Sequence, residues 1–171
     1  ENATVICDVQ DLSSFYKDKK FVKLNQKTLP FENDEFDFAI SSHVIEHVED
    51  VNLFISELQR VSKKGYIELP TILEDNLVFE NKSDHLWHME FDDVNNKLNI
   101  SKKIQHIEPL VTVSTIKKLS KYFRQSLVLE LYWEDSIEYE IINKQFNDYS
   151  KFSRLSLTRK FFSKTLRNLF K

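Results

Sequence analysis

Glycine is almost missing from this sequence. One residue in 171, Gly65, is glycine, where average usage near 7% would give about twelve. A Walker phosphate loop needs two glycines and a G-x-G-x-x-G dinucleotide loop needs three, so neither exists in these residues. Collagen-like, glycine/serine-linker and propeller-repeat architectures are excluded on the same count. Cysteine is limited to Cys7. A single thiol excludes an internal disulfide and fits a reducing, cytoplasmic compartment. No apolar run approaches the roughly 18 residues of a membrane span. Methionine occurs once, as Met89, and the sequence opens on Glu1. It is therefore expected to be a piece that lacks its natural start.

The residues that are present read as one globular domain with a real core: 41% hydrophobic, 13% aromatic and 30% charged. The net charge of −3 hides an asymmetry. Residues 151–171 hold seven basic side chains and no acidic one, which leaves 17 basic against 27 acidic residues in 1–150. An acidic body argues against nucleic acid as a partner. The tail, with Leu155, Phe162, Leu166 and Leu169 spaced along it, reads as a basic amphipathic C-terminal helix. Such a helix packs on its own domain or a second subunit, or contacts a protein partner or the edge of an anionic membrane.

Ala3–Asp8 and Phe21–Leu24 are β-branched or apolar runs that predict short strands. Phe36–Ser42 predicts a third strand running into small polar residues. Asp50 then suits the N-cap of a helix over Val51–Ser62, whose apolar positions at 51, 54, 55, 58 and 61 form one stripe. Gly65 suits the position just past that helix, and Tyr66–Leu69 predicts the next strand. This order favours an α/β fold with a parallel sheet. Residues 71–84 read as irregular. Leu86–Phe91 and Leu98–Ile104 predict a hairpin, Ser114 a cap for a helix through Phe123, and Leu127–Trp133 with Ile137–Ile142 an antiparallel hairpin.

The segment from Leu29 to Pro70 carries a combination of motifs: Leu29-Pro30-Phe31, an acidic turn, Phe36-Asp37, a strand, Glu46-His47-Val48, a helix, and Lys63-Lys64-Gly65. This combination resembles the class I S-adenosylmethionine-dependent methyltransferases, in the group acting mostly on small molecules. The resemblance implies a Rossmann-like methyltransferase sheet, mostly parallel with an antiparallel C-terminal hairpin, over residues 1–150. Residues 71–110 would then be a substrate-side insertion. The family's first strand ends in an acid followed by G-x-G-x-G, and that loop is not in these residues. The 29-residue gap from Asp8 to Asp37 suits the family's second strand, so the first strand and first helix are expected to be absent from this chain.

The resemblance implies S-adenosylmethionine as cofactor and a small-molecule or glycan acceptor. Asp8 would accept hydrogen bonds from both ribose hydroxyls, which a carboxylate can do at once. Asn25 and Gln26 stand where the family reads the adenine amino group, and Ser41 and Ser42 lie at the strand end where ligands bind in open α/β sheets. His43 is the candidate general base, since imidazole titrates near neutral pH. His47, His85, Trp87 and His88 are the acceptor-binding candidates, set against the plainer reading of a capped helix and a packed hairpin. His85 and His88 also form H-x-x-H. On a strand, positions three apart face opposite sides, so no metal is expected there. The rival reading is a non-catalytic, truncated methyltransferase fold that binds a partner or membrane through its basic tail.

Overall fold

The computed structural model describes residues 3–24 and 28–143 and, in the tail, residues 155, 158–160, 162, 163 and 166. Strands β1 (Val5–Asp8) and β2 (Lys20–Lys23) pair in parallel as a separate two-stranded sheet. Strand β3 (Ala39–Ser42), helix α1 (Val51–Val61) and strand β4 (Lys64–Pro70) follow. β3 and β4 are parallel, and β7 (Val128–Glu134) joins β4 in antiparallel register. Between β4 and β7 lie two short helices, α2 (Ile72–Leu77) and α3 (Asn81–Asp84). The hairpin of β5 (Trp87–Asp92) and β6 (Lys97–Lys102) comes next, then α4 (Val113–Leu127). The last strand, β8 (Tyr139–Ile141), runs parallel to β6.

The fold is thus mixed α/β, with parallel and antiparallel pairings in three small sheets among the described residues. The core is shared by α1 and two of those sheets. Ile55 and Leu58 of α1 meet Ile67 and Leu69 of β4, Met89 of β5, Leu98 and Ile100 of β6, and Trp133 of β7. Helix α1 forms as its stripe predicts, with the Asp50 carboxylate accepting from the Leu53 N–H at 3.0 Å. The Leu29-Pro30-Phe31 segment is clamped onto the same helix. Glu57 accepts from the Leu29 N–H, and the Arg60 guanidinium donates to the Leu29 and Phe31 carbonyls. In this fold that motif is therefore a structural bracket.

Four expectations need correction. Gly65 does not terminate α1. It lies inside β4 without a positive φ, and Ser62 in extended conformation ends the helix. What glycine supplies there is space. A Cβ at 65 would sit 2.5 Å from the Ala39 carbonyl oxygen and 2.6 Å from the Trp133 ring. Residues 71–84 are largely helical instead of irregular. Thr71 caps α2, and Glu74, Asp75 and Asn76 are its buried residues. A helix that buries its polar residues carries no apolar stripe to read. Helix α4 is capped by Thr112 instead of Ser114, continues to Leu127, and bends at Phe123.

The fourth correction concerns the C-terminal hairpin, which does not form. After Asp135, in left-handed conformation, the Ile137 N–H donates to Gln59 Oε1 of α1 at 2.6 Å and Ile137 is buried. That anchor carries the chain across to β6, where the Ile142 N–H donates to the Ile100 carbonyl. Burial of Ile137 against α1 thus redirects the strand to the other sheet. In the tail, the described residues are helical. The rest of the predicted basic helix lies outside the described residues. Among the described residues, no helix is long and apolar enough to cross a membrane.

Candidate functional site

The site develops where β3 ends. Alternation along a strand sends Ser41 and Ser42 to opposite faces. Ser42 faces outward, its hydroxyl 3.3 Å from Glu68 Oε1. Ser41 faces the interior at 4% exposure, and its Oγ has no hydrogen-bond partner. His43 follows in the left-handed region, φ 52°, which a non-glycine residue adopts only where the surroundings hold it. Here the holding contacts are the His43 N–H to the Glu68 carbonyl at 2.9 Å and a ring set between two carboxylates. Nδ1 lies 3.3 Å from Glu46 Oε1 and Nε2 lies 3.4 Å from Glu68 Oε1. The contact with Glu46 raises the His43 pKa above its ordinary value, against the opposing effect of burial. With both nitrogens facing carboxylates, the surroundings favour the protonated form of the ring.

A one-turn 3-10 helix, Ile45–His47, continues from His43. The Leu86 N–H donates to the Glu46 carbonyl at 2.7 Å, so the start of β5 is tied to this turn. That tie brings His85 beside Glu46 and His47. The His47 and His85 rings meet edge to face with centroids 4.5 Å apart. One potential ligand atom from each of Glu46, His47 and His85 lies within 4.8 Å of the other two. Glu46 is 1% exposed and neither carboxylate oxygen has a hydrogen-bond partner.

Beneath this cluster lies Asp75, 1% exposed. His85 Nδ1 is 2.5 Å from its Oδ1, His88 Nε2 is 2.6 Å from its Oδ2, and the Lys103 ammonium is 3.0 Å away. Burial pushes the Asp75 carboxyl up, but these three partners outweigh it and hold the group well below the usual carboxylate range. The expectation that His85 and His88 face apart does not hold. His85 precedes β5 instead of lying in it, so the two rings converge on one carboxylate. His88 also lines a cavity of about 200 Å³ with Ile72, Ser101 and His106.

Trp87 packs into the core, its indole N–H donating to the Val48 carbonyl and the Lys102 ammonium 3.5 Å from the ring centroid. Asp8 ends β1 in the separate sheet. Its Oδ1 accepts from the Gln10 N–H at 2.7 Å. Asn25 and Gln26 lie outside the described residues. The structure therefore gathers His43, Glu46, His47, His85 and His88 into one region, and Asp8 stands apart from it.

Sequence reasoning missed Asp75, Lys103 and Glu74. Glu74 is buried beside Asp75 with Oε2 unpartnered, and burial raises its carboxyl pKa. It also missed Arg124, which bridges Glu68, Glu130 and the Tyr66 hydroxyl on the solvent face of the β3–β4–β7 sheet. These groupings join residues tens of positions apart, and no local pattern announces them.

Comparison with known proteins agrees with the motif reading. Residues 6–67, from β1 into β4, match the family model of a methyltransferase domain. Over these residues the chain is similar to a methyltransferase domain. No curated protein matches this sequence. Among solved structures, the crystal structure of the PH0226 protein from Pyrococcus horikoshii OT3 is similar at 14% identity and a TM-score of 0.43, over 77% of this chain and 70% of that one.

Proposed function

We propose that the protein transfers a methyl group from S-adenosylmethionine to a small-molecule or glycan acceptor. The observation that carries this reading is the match of residues 6–67 to a methyltransferase domain. The bound cofactor supplies an electrophilic methyl group on a sulfonium. Two features of the chain fit such a ligand. Asp8 uses one carboxylate oxygen on Gln10, and Oδ2 is proposed to accept from the ribose hydroxyls. Ser41 presents a buried hydroxyl with no hydrogen-bond partner at the end of β3, as a group reserved for a ligand would. Asn25, Gln26 and Ser42 remain proposed cofactor contacts, and the family's glycine-rich loop is not among these residues.

Methyl transfer needs alignment of acceptor and methyl group more than proton chemistry. The pairing of His43 suits that economy: a ring set between Glu46 and Glu68 is oriented by them and is proposed to position the acceptor. His47 presents the exposed edge of the site, and His85 and His88 support it from below through Asp75.

The test is transfer of label from methyl-labelled S-adenosylmethionine by the product of the complete gene. Fractionated hydroxylated metabolites and glycans serve as acceptors. Label in a small-molecule or glycan fraction, reduced at least about tenfold by Asp8→Ala, is expected. That loss is what removing a hydrogen bond to a charged group produces. Label confined to nucleic acid or protein would overturn the acceptor class.

A further inference from the structure

Two buried carboxylates with unpartnered oxygens, Glu46 and Glu74, belong to the same region as His43, His47 and His85. A buried carboxylate is costly unless a cation or donors satisfy it. The imidazole of His43 approaches Glu46 Oε1 at 3.3 Å from one side, which leaves Oε2 without any partner.

The tautomers of the two neighbouring histidines follow from what they touch. His47 Nδ1 lies 2.9 Å from the Asp84 carbonyl. A carbonyl only accepts, so Nδ1 carries the proton and Nε2 carries the lone pair. His85 Nδ1 lies 2.5 Å from the Asp75 carboxylate, a close contact outside hydrogen-bonding geometry, which favours a proton on the same nitrogen. In that tautomer each ring turns its Nε2 lone pair away from an oxygen that sits behind it. This is how metal-binding histidines are held: a carbonyl or carboxylate on the distal nitrogen fixes the ring and raises the basicity of the other.

We infer that Glu46, His47 and His85 form a binding site for a divalent transition-metal ion. Two imidazoles and one carboxylate suit zinc, cobalt or ferrous iron. The ligand atoms lie within 4.8 Å of one another, and tetrahedral ligation at about 2.05 Å needs separations of about 3.3 Å. Closure of at most about 1.5 Å, shared among the three side chains, brings the ligand atoms into that range. Three protein ligands leave positions open for water or for an acceptor hydroxyl, whose proton a bound metal would acidify. That second role rests on the methyl-transfer reading, whereas metal binding itself does not.

The test uses the full chain after chelator treatment, titrated with Co²⁺ and followed by its visible d–d absorption, with Zn²⁺ as competitor. No cofactor is added, so the outcome is independent of methyl transfer. One Co²⁺ per chain is expected, displaced by Zn²⁺. Affinity falls at least about tenfold in both His47→Ala and Glu46→Gln, as even loss of a supporting group does at such sites. His106→Ala, outside the cluster, is expected to bind as the unaltered chain does. Circular dichroism reports whether each variant keeps its fold. Should Glu46→Gln lose its fold, His47→Ala decides alone, because His47 is exposed. Absence of saturable binding, or affinity unchanged in His47→Ala, would overturn the site.

Discussion

At the scale of single residues, Gly65 and Asp75 show what a sequence can and cannot disclose. Gly65 is conspicuous because it is the sequence's one glycine, and the pattern around it points to a helix end. Its actual constraint is a wall made by the Ala39 carbonyl and the Trp133 ring, residues 26 and 68 positions away. Trp133 is mostly buried over it, in the core cluster, so neither neighbour yields easily. Gly65→Ala should therefore destabilise the fold by about 1–3 kcal/mol or more, the range of overpacked cores, and chemical denaturation measures it. A midpoint unchanged from wild type would show that the contact relaxes freely. Asp75 is inconspicuous in an acidic stretch, yet it organises His85, His88 and Lys103. Candidate residues His85 and His88 were legible in the sequence, and the carboxylate joining them was not, because a buried ion cluster has no periodic signature.

At the scale of elements, α1 was the most legible part of the chain. Its stripe, its Asp50 cap and its boundaries agree with the periodicity to within a residue. The polar face of the same helix does equally specific work that periodicity cannot express. Glu57 and Arg60, one turn apart, bracket Leu29 to Phe31. The hydrogen bond from Arg60 lowers the Glu57 pKa, against the effect of burial. A depressed folded-state pKa contributes stability that is complete above the unfolded carboxyl value near 4.3 and is lost as pH falls below it. Denaturation midpoints should therefore hold from about pH 6 to about pH 4.5 and drop below that, and Glu57→Gln should shrink that drop. An equal drop in the variant would assign the acid sensitivity to other carboxylates. Helix α2 and strand β8 mark the limit of legibility at this scale. The first buries Glu74, Asp75 and Asn76, and the second leaves its expected partner because Ile137 docks on α1.

At the scale of the whole molecule, the α/β class and the likeness of residues 6–67 to a methyltransferase domain were readable from the chain, and the arrangement of sheets was not. The family motifs span β3, α1 and β4, a stretch whose links are short and whose register is set by local pattern. The split into three sheets depends on pairings between distant strands, such as β4 with β7 and β6 with β8. The functional reading inherits that division: the strand-end residues were legible, and the buried carboxylates around them became visible only with the fold. The central proposal, that the protein binds S-adenosylmethionine, is tested most directly by calorimetric titration of S-adenosylmethionine into the product of the complete gene and into its Asp8→Ala variant. Saturable binding near one cofactor per chain, weakened by roughly tenfold to a hundredfold in the variant, is the predicted result. Absence of heat at high cofactor concentration, with the protein folded, would contradict the claim.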